Sequence, residues 1–158
     1  MPRLSAGLVL FRRISGRLEV FLVHPGGPFW AKKDAGAWSI PKGEYSPGVD
    51  PLAAARREFS EETGLELPPG EPIPLGELRQ AGGKLVTAWA IECGTADNIV
   101  AESIHSNTFS MEWPPRSGKL AEFPEVDRAA WFPLDTAQEK ILASQQEFLS
   151  RLARSLNP

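Results

Sequence analysis

Two near-continuous apolar runs open the chain: residues 4 to 13, LSAGLVLFRR, and residues 18 to 24, LEVFLVH. Both are short and rich in branched and aromatic residues, and Ser15-Gly16 stands between them, so they read as two buried antiparallel strands joined by a tight turn. Residues 25 to 38, PGGPFWAKKDAGAW, break the apolar pattern with glycines, prolines, two lysines and two tryptophans. Such a stretch is a loop beside the strand ends, and its position suits a lip over a substrate. The following EYSPGVD is rich in turn formers and excludes regular helix there.

The first helical period starts afterwards. Asp50 is a good N-cap and Pro51 suits the first helical position, which predicts a helix ending near Thr63, where Gly64 stops it. Leu52, Ala55 and Phe59 form its buried stripe, and Glu58, Glu61 and Glu62 project about a quarter turn away. After a proline-rich connector at 68 to 74, PLGELRQA and KLVTAWAIEC form a second hairpin across Gly82-Gly83. The pattern weakens from residue 94 to 122. NTFSMEW reads as a strand and PPRSGKLAEFP as a loop. VDRAAWFPL is then a last strand entering a helix capped at Asp135, with Gln138 at capping-box distance. Ser144 and Glu147 repeat that spacing, so the C-terminal region is one long helix or two short ones, with Ile141, Phe148, Leu149, Leu152 and Leu156 as its apolar face.

A length of 158 residues suits a single domain spanning 1–158. A hydrophobic content of 42% is that of a soluble globular chain. The net charge of −3 gives no general attraction to duplex nucleic acid or an anionic membrane, so a bound phosphate must be met locally. A lone cysteine, Cys93, excludes an intrachain disulfide and reads as a buried structural thiol. No apolar run approaches the roughly 20 residues of a membrane span, and no signal-peptide pattern opens the chain, which together make the cytoplasm the expected compartment. His24 and His105 lack paired zinc-ligand spacing.

Chemistry concentrates on the first helix. Glu58, Glu61 and Glu62 stand at i, i+3 and i+4 and so share one helical face, where like charges repel. Clustered carboxylate oxygens are the ligands of hard cations such as Mg²⁺, which are commonly shared with substrate phosphates. A solvated acidic face with intrahelical arginine pairs is the alternative for the trio in isolation.

The surroundings change that balance. From Gly43 the chain runs five residues to position 49, seven more to Arg57-Glu58-Phe59, and on through Glu61-Glu62 to Gly64-Leu65. This resembles the signature box of the Nudix hydrolases. Chance agreement at its six charged or glycine positions has a probability on the order of 10⁻⁷ per window at average residue usage. The order of hairpin, loop, box helix, hairpin, strand and C-terminal helix is similar to the whole family domain. The resemblance implies an α/β fold, a mixed β-sheet sandwiched between α-helices (α/β/α), and Mg²⁺- or Mn²⁺-dependent hydrolysis of a nucleoside diphosphate linked to another moiety. It also implies Gly43 (through its carbonyl), Glu58, Glu61 and Glu62 as metal ligands, and Glu58, Glu61 and Arg57 as catalytic residues, with Glu58 a candidate base. Relatives often add a glutamate about six residues before a tryptophan of the last strand. Glu125 stands at that distance from Trp131, with Glu122 as the alternative.

One position departs from the family. Val49 replaces the glutamate that braces the box arginine, so Arg57 needs another partner, with Glu44 and Asp50 as candidates. The AGLVLFRR run and Trp38-Ser39-Ile40-Pro41-Lys42-Gly43 resemble the subgroup containing diadenosine polyphosphate and diphosphoinositol polyphosphate hydrolases. This makes a small nucleoside polyphosphate such as diadenosine tetraphosphate the expected substrate, with Lys42 on a phosphate and Trp38 in the substrate site. Trp30, Trp38 and Trp89 are the candidates to stack a base, with core packing as their commoner role, and Lys32, Lys33 and Arg116 are loop cations open to outer phosphates or to ordinary solvation. Damaged nucleoside triphosphates, nucleotide sugars, inositol pyrophosphates and a non-catalytic nucleotide sensor of the same fold stay open at this stage, as do the base preference, the cleaved bond, the number of metals and the oligomeric state.

Overall fold

Strand β1, Leu4–Ile14, is central because it is apolar on both faces: Ala6, Leu8 and Leu10 point to one side, Val9 and Phe11 to the other, and all five are fully buried. The computed structural model describes residues 2–94 and 99–157. β2, Arg17–Pro25, returns antiparallel from a two-residue turn in which Ser15 and Gly16 have φ of 51° and 78°. Two positive φ values are what a tight hairpin turn matching the strand twist requires.

β5, Leu85–Glu92, runs parallel to β1 from Leu4↔Leu85 to Phe11↔Glu92, and β4, Ile73–Arg79, flanks it. β8, Val126–Pro133, lies outside β2, so the order is β4-β5-β1-β2-β8. A short strand that turn-rich composition conceals, β3 at Lys42–Tyr45, pairs with the first residues of β1, Leu4 to Gly7. β2 pairs with β1 through Phe11 to Ile14. β2 and β3 therefore pair with different stretches of β1, and the end of β2 and the start of β3 both border a cavity.

Helix α1, Pro51–Thr63, covers one face through Ala54, Ala55 and Phe59. On the other face lie α2, Leu134–Lys140, and α3, Gln146–Leu156, whose Ala137, Phe148, Leu149 and Leu152 join Val9, Val20 and Leu22. This is the mixed sheet between helices that the sequence predicts.

Three local expectations change. Residues 114 to 124 are not loop throughout: β7, Leu120–Pro124, pairs with β6, Thr108–Glu112, in a separate ribbon. That ribbon has few apolar contacts, with Phe109 and Phe123 facing each other at 6.0 Å, so its strand character comes from pairing and leaves little hydrophobic pattern. The cap at Asp135 does not form; α2 starts two residues earlier, after Pro133, and Gln138 Nε2 donates instead to the Ser150 hydroxyl. Ser144 lies inside a 3₁₀ turn, Ala143–Gln145, and the C-terminal region is two helices.

Candidate active site

α1 is held at both ends. The Asp50 carboxylate accepts from Ala53 N–H at 3.0 Å, and Gly64 ends the helix with φ 70°, its N–H donating to the Ser60 carbonyl. Burial of Phe59 against Phe21 then fixes the rotation of the helix. Consequently Glu58 and Glu62 turn toward β3, and Glu61 points outward.

Glu62 Oε2 accepts the Lys42 N–H at 3.2 Å. Burial pushes the Glu62 carboxyl up to about 8, against the opposing pull of the Lys42 N–H and ammonium, while Glu58 and Glu125 add repulsion. Glu58 is also raised, first by burial, with Arg57 acting in the other direction and Glu61 and Glu125 reinforcing it. Lys42 is lowered by burial and by the neighbouring Lys84. Lys84 went unmarked in the sequence, because only the pairing of β1 with β5 brings residue 84 beside β3.

Gly43 shows why the box begins with glycine. A Cβ there would lie 2.1 Å from Glu58 Cδ and Oε2. Its missing side chain is the space in which the Glu58 carboxyl rests.

Arg57 has found partners without an acid at 49. Its Nη2 donates to Glu58 Oε1 at 3.2 Å and to the Glu44 carbonyl at 3.4 Å, and Nε lies 3.9 Å from Glu61. The Glu44 carboxylate itself faces Arg3 and Lys84, and Asp50 is taken by the cap. Val49 stays at the surface, 37% exposed.

A cavity of about 210 Å³ adjoins these groups, lined by Lys42, Glu62, Glu125, Ser39, Trp30 and the end of β2 among others. Glu125 thus comes to the cavity beside Glu62 although 63 positions separate them in the chain. Its backbone is clamped on both sides, accepting from Gly26 N–H and donating to the Asn107 carbonyl. The alternative acid, Glu122, instead accepts from the Thr108 hydroxyl on the β6–β7 ribbon.

Trp38 is corrected. It is 5% exposed, edge-on to His24 and Phe132, with its indole N–H given to Asp34. The Arg128 guanidinium lies 5.3 Å over its ring. Trp30, eight residues earlier and only partly buried, lines the cavity instead.

Among the described residues no three acidic, histidine or cysteine groups converge into a cage for an ion. Mg²⁺ seldom uses such a cage; it binds through one or two carboxylates, waters and substrate phosphates. A buried Glu62 carboxyl crowded by Glu58 and Glu125, all oxygen donors, fits that manner of binding.

A mixed sheet between helices carries a largely apolar cavity at whose wall Lys42, Glu62 and Glu125 stand together, a set of groups suited to a charged oxyanion and a cation. The NUDIX domain pattern matches residues 1–152. An asymmetrical bis(5'-nucleosyl)-tetraphosphatase of Caenorhabditis elegans is 30% identical over 108 residues, which are 65% of this chain and 74% of that protein. Among solved structures, a C. elegans Ap4A hydrolase in a binary complex has a TM-score of 0.67 at 22% identity, covering 98% of each chain. The NUDIX domain of Shewanella oneidensis NrtR, complexed with ADP ribose, has a TM-score of 0.64 at 19% identity, covering 99% of this chain and 89% of that one. The chain belongs to the Nudix family. It is a hydrolase of phosphoanhydride bonds, in a family whose members in general use divalent metal ions. No helix among the described residues is long and apolar enough to cross a membrane.

Proposed function

We propose that the protein is a Mg²⁺- or Mn²⁺-dependent pyrophosphohydrolase that cleaves a dinucleoside polyphosphate such as diadenosine tetraphosphate by water attack on phosphorus. The observation that carries the substrate class is the 30% identity to an asymmetrical bis(5'-nucleosyl)-tetraphosphatase. Glu62 with Glu58, Glu125 and the Gly43 carbonyl would hold the cation, and Glu61, which faces outward beside Arg57, would join them on turning its side chain inward. When bound, the cation neutralises phosphate charge and acidifies water.

The remaining roles belong to the chain. Glu58 is the base: its carboxyl, raised by burial, takes a proton from water as the oxygen attacks phosphorus, and the anhydride electron pair leaves on the bridging oxygen. Arg57 grips Glu58 Oε1 and leaves Oε2 over Gly43, which orients the base. Lys42, beside Glu62, meets a phosphate oxygen, and its partial burial strengthens that attraction. The test is product release from diadenosine tetraphosphate with Mg²⁺, in parallel with nucleoside triphosphates, nucleotide sugars and ADP ribose. Turnover of the tetraphosphate, lost in Glu62→Gln while nucleotide binding persists, is the expected result. Preference for another member of the panel would replace the substrate, and no turnover of any would end the reading.

A further inference from the structure

We infer that a second cleft, lined by Lys32, Lys33, Arg128, Lys140, Trp38 and Phe132, binds the distal phosphates of a substrate whose reacting anhydride lies at Glu58 and Glu62. The inference rests on the dinucleoside polyphosphate reading. Size gives the first argument. The cavity at the carboxylates, about 210 Å³, is smaller than the roughly 300–1,000 Å³ of ordinary ligand pockets. A ligand with two nucleosides must extend beyond it, and the second cleft offers about 560 Å³.

The two clefts share no lining residue but meet at one point of the loop between β2 and β3. Trp30 lines the first, Lys33 lines the second, and Lys33 Nζ stands 5.0 Å from the Trp30 ring centroid. The Lys33 ammonium therefore lines one cleft and stands beside a wall of the other.

Charge gives the second argument. Four cations share this concavity with a single acid, Asp34, in a protein whose net charge is −3. Asp34 is committed to Lys140 and to the Trp38 indole. Among the described residues no carboxylate forms an ion pair with Lys32, Lys33 or Arg128, whereas Arg12, Arg13, Arg57, Arg151 and Arg154 all have one. Like charges gathered in a hollow repel, and an anion relieves the repulsion.

The cations are also held in place. Arg128 lies 5.3 Å over Trp38 and Lys140 5.9 Å over Phe132. Buried His24 gives its Nε2 hydrogen to the Lys33 carbonyl at 2.7 Å, and Lys33 N–H donates to the Trp30 carbonyl at 2.9 Å. Ordering before binding spares the ligand part of that cost.

The experiment compares wild type with Lys32→Ala/Lys33→Ala/Arg128→Ala and with the charge-keeping Lys32→Arg/Lys33→Arg/Arg128→Lys, after thermal melts establish that all three fold. On diadenosine tetraphosphate the alanine variant should raise KM about tenfold or more, equivalent to about 1.4 kcal/mol, with kcat within about twofold and most of KM restored in the charge-keeping variant. An unchanged KM, or an equal loss in both variants, overturns the inference. Calorimetric titration with inorganic tripolyphosphate in EDTA provides a readout independent of turnover. Binding should weaken about tenfold in the alanine variant and persist in Glu62→Gln. If wild type cleaves no dinucleoside polyphosphate, the functional reading falls by itself. Equal tripolyphosphate binding by wild type and the alanine variant would then overturn the cleft's assignment.

Discussion

The carboxyl of Glu58 lies so close over Gly43 that a Cβ on residue 43 would meet its Cδ and Oε2 at 2.1 Å. Gly43→Ala should therefore displace Glu58 from β3, lowering stability by about 1–3 kcal/mol and activity by more than about tenfold. Thermal melts and turnover check the single variant. In a Glu58→Ala background the same change should cost little stability, since the colliding group is gone; an undiminished cost would mean that the backbone of β3 is the strained part.

Glu62 sets a pH dependence of stability. Its carboxyl titrates near 8 when folded against a usual value of 4.5. The stabilisation is thus complete below about pH 4.5 and is lost as pH rises through 8, because the unfolded chain releases this proton first. In a chelating buffer, unfolding free energy should fall by up to about 4 kcal/mol between pH 5 and pH 9, and Glu62→Gln should flatten that slope. Urea titrations across this range measure it, and a wild-type slope unchanged by the substitution would remove Glu62 as its source.

Arg57 is already engaged by Glu58, the Glu44 carbonyl and Glu61, so Val49→Glu adds only an exposed ion pair. Its effect on stability should stay within about 1 kcal/mol, and kcat/KM within about threefold. A gain above tenfold would show that Arg57 is poorly held in the natural sequence.

Trp38 packs between His24 and Phe132. Trp38→Ala should cost about 3–5 kcal/mol in urea unfolding, and Trp38→Phe, which keeps a ring beneath Arg128, should cost less. An alanine variant as stable as wild type would show that the indole does not support this wall of the second cleft.

Much of this was readable in the chain, for reasons that differ by element. Asp50, Pro51 and Gly64 mark α1 because caps act within one turn and leave their residue types at fixed offsets. β1 and β2 were legible because strands buried on both faces are apolar throughout. β3 and β7 were not: Lys42–Tyr45 and Leu120–Pro124 carry few apolar residues and are strands only because β1 and β6 pair with them. The capping-box spacing of Asp135 and Gln138 misled for the same reason, since Ser150 on α3 captures the Gln138 amide.

By itself the sequence determined that Glu58, Glu61 and Glu62 share a helical face below a glycine, because helix geometry converts spacing into direction. It could not rank them. Packing of Phe59 against Phe21 turned Glu62 into the cavity and left Glu61 with Arg57; strand pairing set Lys84 near Lys42 and carried Glu125 to the cavity beside Glu62. It also buried Trp38 and kept Trp30 at the cavity wall. Those outcomes depend on contacts between distant segments, and burial, which sets both pKa and access, exists only once those segments have met.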